Sequence, residues 1–117
     1  MVFKKRQESL MFALHGLKTV WKEEVNFKIE VFITAIVVGM GLYFHLRSWE
    51  YALVTISIAM VLCAEIINTA VEDLCDRITT EEDQMIGKIK DISGAFVLVS
   101  VVGAMIVGIL VFYPHFF

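Results

Sequence analysis

The chain has 117 residues, a net charge of −3, 58% hydrophobic residues and a mean hydropathy of +0.75. That allows one domain, too apolar for an ordinary soluble protein of this size, and points to an integral membrane protein. A weakly acidic balance leaves no basic face to attract nucleic acid, so lysines and arginines matter by position.

Residues 1–28 are polar at their start and interrupted by Lys18, Lys22, Glu23 and Glu24, which speaks against a cleavable signal peptide. Leu10, Leu14, Leu17 and Trp21 recur at helical spacing, with Lys4, Lys5, Arg6, Lys18 and Lys22 available for anionic headgroups. The pattern predicts an amphipathic helix on the membrane surface; a helical arm against a protein partner is the alternative. A first span is expected over 29–46, charge-free from Val31 to Phe44. Gly39 and Gly41 within it form only a G-x-G, without the third glycine or the strand of a dinucleotide fold. A second span is expected over 51–76. Its uncharged part, Tyr51 to Cys63, is short of the roughly 20 residues that cross a bilayer, so the turns from Glu65 to Glu72 must complete the crossing. The third span, over 91–113, is charge-free from Ile92, and Pro114 is expected to stop it.

Six Lys or Arg residues fall in 1–30, one in the turn at Arg47, three between Arg77 and Lys90, and none after Val111. The positive-inside rule then makes the N-terminus and the 77–90 loop cytoplasmic. Trp49 and Tyr51, with Tyr113, Phe116 and Phe117, form an aromatic belt on the other side.

The second span ends in the stretch that carries chemistry, A-E-I-I-N-T-A-V-E-D-L-C-D-R from Ala64 to Arg77. At 100° per residue Glu65, Asn68, Glu72 and Asp76 fall within about 80° of one helix face. A charge at mid-bilayer costs at least about 2.5–3.5 kcal/mol, so this stripe is a candidate divalent-cation and proton-handling site at the membrane boundary. Gly87 to Asp91, G-K-I-K-D, opens the last span, where Lys90 beside free helix N–H groups is placed to hold phosphate oxygens. A snorkelling lysine is the bland alternative for Lys90, and a solvated charge for Glu24. Glu23, Glu24 and Glu30 bring further acids to the same depth. Cys63 and Cys75 are twelve residues apart on one helix, about 18 Å, and cannot bridge each other within it. The three histidines are scattered, and no G-x-x-x-x-G-K-[ST] phosphate loop is present.

Ala64 to Asp76 read as A-E-x-x-N-T-A-x-E-x-x-x-D, followed by K-D at Lys90-Asp91 and preceded by E-x-x-F-K-x-E at Glu24 to Glu30. These motifs resemble the prokaryotic diacylglycerol kinase and undecaprenol kinase family over essentially the whole chain. The resemblance implies an all-α membrane protein: an N-terminal amphipathic surface helix plus three transmembrane helices, one domain over 1–117, assembled as a homotrimer in the bacterial inner membrane. It also implies an ATP- and Mg²⁺-dependent lipid kinase that phosphorylates diacylglycerol or undecaprenol, its site shared between subunits at the cytoplasmic face. Glu65 would be the general base. Glu24 and Glu72 would hold Mg²⁺, with Asn68 positioning phosphate and metal. Lys90 would contact ATP, and Asp91, Asp76 and Glu30 would complete the polar shell. The chain departs from the family's usual pattern in three places. The 81–87 loop lacks the histidine often found before K-D, Gly94 stands where the diacylglycerol branch tends to have serine, and Phe12 and Ala13 stand where some members have hydroxyl-bearing side chains. Two other classes fit the stripe less well: an ion or proton conductor, and a non-catalytic scaffold packed through Ala35/Gly39 and Ala104/Gly108.

Overall fold

A computed structural model describes residues 2–117, with side chains from Lys5 onward. Four helices follow one another, α1 (Val2–Glu23), α2 (Val25–Phe44), α3 (Ser48–Ile78) and α4 (Gln84–Phe116), and no strand occurs among the described residues. The last three are each long and apolar enough to cross a membrane.

Glu24 separates α1 from α2 with an extended backbone (φ −110°, ψ 109°), so the first span begins at Val25, four residues earlier than the charge pattern suggests. The bend is held by packing. Val20 and Phe27 are buried on either side of it, the Trp21 and Phe27 rings meet edge to face at 6.4 Å, and the Lys28 ammonium lies 5.9 Å from the centre of the Trp21 ring. Along α1, Leu10, Phe12, Leu14, Leu17 and Trp21 remain exposed.

At the far end, α2 closes on His45 in the left-handed conformation (φ 55°), and the Leu46 N–H returns to the Gly41 carbonyl at 3.2 Å. The Tyr51 hydroxyl donates to the same carbonyl at 3.0 Å. The helix is tightly packed at Gly41, where a Cβ would stand 3.1 Å from Leu46 Cδ1 and 3.3 Å from Tyr51 Cε1. Glu50 Oε1 accepts the Arg47 N–H at the start of α3, while Glu50 Oε2 lies 2.7 Å from His115 Nε2 on α4. Around this clasp sits the main core, Leu46, Val54, Val111 and Phe112, with Phe44 packed against Phe112, His115 and Phe116.

The two longest helices, α3 and α4, make the most extensive contact in the chain. Their connection is shorter than the charge pattern implies. Only residues 79–83 lie outside a helix, because Asp83 caps α4 by accepting the Met85 and Ile86 N–H groups through Oδ1 at 2.9 and 3.0 Å. At its other end α4 runs through Pro114 to Phe116, past the expected stop. A proline that near a helix end removes a single backbone bond. Most of the apolar surface of the three spans stays exposed in one chain, as lipid or neighbouring subunits require.

Candidate active site

The 31 residues of α3 rise about 46 Å, more than a hydrocarbon core of about 30 Å. Counted from Ser48, about 20 residues bring the helix to the opposite boundary near Ile67. With Ser48 taken as one boundary, Glu65 and Asn68 fall at the other, and Glu72 and Asp76 one and two turns beyond it. The helical period places all four on one face, where α2 and α4 pack.

Glu65 is 2% exposed, the largest fully buried side chain described. Its carboxyl group reaches that of Glu30 on α2, and Glu24 and Glu72 are close enough to act on it electrostatically. Glu30 Oε2 is buried without a hydrogen-bond partner, at the rim of an apolar groove of about 370 Å³ between α2, α3 and α4. Thr69 is buried beside Glu65 and returns its hydroxyl to the Glu65 carbonyl at 2.9 Å. Asn68, 9% exposed, donates through Nδ2 to Glu72 Oε1 at 3.2 Å and accepts at Oδ1 from the Ser93 hydroxyl of α4 at 2.7 Å.

Glu24 arrives from the bend between α1 and α2. Partial burial, then the nearby charges of Glu72, Asp73 and Glu23, push its carboxyl above the usual carboxylate range. Sequence-distant acids are thus drawn together: Glu24, Glu30, Glu65 and Glu72 converge from the bend, α2 and α3.

The expectation that Lys90 sits among free N–H groups at a helix start is corrected. Since α4 begins at Gln84 and is capped by Asp83, Lys90 lies nearly two turns inside the helix. Its ammonium pairs with Asp76 Oδ1 at 2.6 Å, and it is near enough to Glu72 and Cys75 to act on them. Both partners of the pair are substantially exposed, at 39% and 57%, so the contact adds little stability and exchanges readily for another anion. Asp91 is exposed on the next position of α4 and has no ion-pair partner among the described residues. The cysteines are both free, Cys63 exposed and Cys75 buried.

No three His, Cys, Asp or Glu side chains among the described residues converge closely enough to hold a metal ion by themselves. The candidate donors, the carboxylates of Glu24 and Glu72, which lie within electrostatic range of each other, are all oxygen. That suits Mg²⁺, which is commonly held by one or two carboxylates together with substrate phosphates.

The sequence model of the prokaryotic diacylglycerol kinases matches residues 11–112, all but the two ends of the chain. The chain belongs to the prokaryotic diacylglycerol kinase family. Among its relatives in this family of membrane lipid kinases, a diacylglycerol kinase of Haemophilus influenzae is 34% identical over 106 residues, covering 89% of this chain and 90% of that protein. One of Escherichia coli is 28% identical over 105 residues, covering 90% and 86%. An undecaprenol kinase of Bacillus subtilis is 27% identical over 107 residues, covering 92% and 87%. The family match takes in every acidic residue described above, as well as Asn68, Ser93 and Lys90.

Three interacting residues escaped the sequence reading of this family member. Glu50 stands three residues after the N-cap Arg47 and accepts its N–H, but without a Ser, Thr, Asp or Asn at the cap the usual capping signature is missing. Its bond to His115, and the bond from Ser93 to Asn68, join residues 65 and 25 apart and have no local pattern.

Proposed function

We propose that this protein is an ATP- and Mg²⁺-dependent kinase for the hydroxyl group of a membrane lipid alcohol, acting as a homotrimer at the cytoplasmic face of the bacterial inner membrane. The observation that carries the reading is the convergence of Glu24, Glu30, Glu65 and Glu72 at one end of a membrane span, with the exchangeable Lys90 beside them.

In this reading Glu65 accepts the proton of the lipid hydroxyl, as a buried carboxylate at the lipid boundary is placed to do. The freed oxygen forms its bond to the γ-phosphorus while the bond from that phosphorus to the bridging oxygen of ADP breaks. Glu24 and Glu72 would hold Mg²⁺, with Asn68 orienting the Glu72 carboxylate. Bound there, the cation would supply positive charge against that developing on the phosphates. Lys90 leaves Asp76 for a phosphate oxygen, and Asp76, Asp91 and Glu30 complete the polar shell. The lipid enters sideways, its tail along the apolar groove that ends at Glu30. Oligomer formation is compatible with the exposed apolar faces of α2 and α4, which lipid or neighbouring subunits would cover. A conductor would need polar groups through the bilayer, whereas the far half of the described bundle is the apolar core around Val54 and Phe112.

Phosphate transfer from labelled ATP in mixed micelles tests the reading, with diacylglycerol, undecaprenol or no added lipid, each with and without Mg²⁺. Labelled phosphatidic acid or undecaprenyl phosphate, formed only with Mg²⁺, is the expected result. No labelled product from either lipid would overturn it.

A further inference from the structure

We infer that Ser93 is a positioning residue for the carboxylate of Glu72, acting through the carboxamide of Asn68; the inference rests on the kinase reading only in taking Glu72 as a cation ligand.

Hydroxyls in membrane helices commonly bond back to their own helix. Three in the spans do so here, Thr34 to Glu30, Thr69 to Glu65 and Ser100 to Val97, each to a backbone carbonyl, as does Thr19 to His15 in α1. Ser93 instead crosses from α4 to the side chain of Asn68 on α3, at 2.7 Å. The direction of the chain that follows is fixed by chemistry. An ionised Glu72 only accepts, so the Asn68 atom 3.2 Å from Glu72 Oε1 must be the amide nitrogen. The amide oxygen then faces Ser93, whose hydroxyl must donate. Removing that donor leaves a buried amide oxygen unpaired. The carboxamide is then free to turn its oxygen toward Glu72, replacing an attraction by a repulsion. With Ser93 in place, Glu72 Oε1 is committed to Asn68, while Oε2 has no hydrogen bond among the described residues and remains for a cation. Partners of this kind, one shell behind a ligand, change metal affinity by about 10–100-fold.

The test measures Mn²⁺, as a paramagnetic stand-in for Mg²⁺, by electron paramagnetic resonance of the free ion in the presence of a non-hydrolysable ATP analogue. Ser93→Ala in the full-length protein should weaken Mn²⁺ binding about 10-fold, and Ser93→Thr, which keeps the donor, should restore most of the affinity. In an Asn68→Ala background, removing the Ser93 hydroxyl should add nothing. Nucleotide binding in EDTA should not respond to Ser93→Ala or Ser93→Thr, whereas a general loosening of α4 would move it as well. If alanine at 93 prevents assembly, Ser93→Cys, with its weak donor, should give an intermediate loss. Equal Mn²⁺ affinity for wild type and Ser93→Ala, or an undiminished effect without Asn68, overturns the inference. A wild type that binds Mn²⁺ in this Ser93-dependent way yet phosphorylates no lipid would overturn the kinase reading and leave the positioning role standing.

Discussion

Glu65→Gln sets function against stability in a way that separates a catalytic acid from a structural one. The carboxyl is 2% exposed, reaches Glu30, and lies within electrostatic range of Glu24 and Glu72. The amide is nearly isosteric, so packing around Ala64 and Thr69 is preserved. What changes is a charge that costs about 2.5–3.5 kcal/mol at mid-bilayer and less at the boundary, where α3 places it. Neutralising it should therefore stabilise the protein, by about 1–2 kcal/mol at neutral pH without Mg²⁺. Loss of a general base should slow phosphoryl transfer by about 10²–10⁴-fold, or roughly 3–5 kcal/mol of barrier. Two assays on the same preparation read both effects: unfolding by sodium dodecyl sulfate in mixed micelles, and initial rates with labelled ATP at saturating Mg²⁺. A variant that keeps half the wild-type rate refutes the base assignment. A variant destabilised by more than about 1 kcal/mol refutes the claim that the acids here oppose folding.

Glu24→Gln should alter the pH dependence of stability. Because the folded pKa is raised, the native state binds more protons than the unfolded chain above pH 4.5, and stability falls as pH rises through the folded value. The glutamine variant should lack that part of the fall in Tm between pH 4 and 8 in EDTA; superimposable curves would contradict the raised value. Tyr51→Phe should lose about 1 kcal/mol by removing the bond to Gly41, with turnover unaffected, as read by detergent unfolding and the kinase assay. Glu50→Ala should lower the Tm more than Glu50→Gln, and adding His115→Ala to it should change little; additive losses would show that the two are not coupled.

The fold was largely legible because bilayer thickness and hydropathy leave few choices. Three charge-poor runs became three helices, and the stripe from Glu65 to Asp76 kept its single face because the helical period is fixed by backbone geometry. Helix ends were less legible. Charge marks where lipid ends, whereas Asp83 starts α4 by satisfying backbone N–H groups, and the two differ by nearly two turns at Lys90. The cluster was half legible. Spacing put three acids and Asn68 on α3, but nothing local says that Glu24 and Glu30 fold onto them, since the bend at Glu24 is held by Val20, Trp21 and Phe27 from both sides. Side-chain bonds between distant residues, Ser93 to Asn68 and Glu50 to His115, required coordinates.

The charge balance of the cluster bears on why such a site persists. Four carboxylates converge, yet no salt bridge reaches any of them among the described residues. Lys90 is engaged by Asp76, and Lys28 lies over the Trp21 ring. Glu50, by contrast, has a hydrogen-bond partner in His115. Unpaired acids at a lipid boundary oppose folding until they are neutralised, and in the proposed reading a cation that comes with the substrate does this. That makes binding and stability one measurement: a ligand at 100 times its Kd adds about 2.7 kcal/mol to the folded state. Mg²⁺ with a non-hydrolysable ATP analogue should therefore raise the unfolding midpoint of the wild type well above its value in EDTA, and the increment should shrink when Glu24 or Glu72 is replaced by glutamine. An equal increment in all three proteins would place the cation elsewhere and leave the converging carboxylates without the role proposed for them.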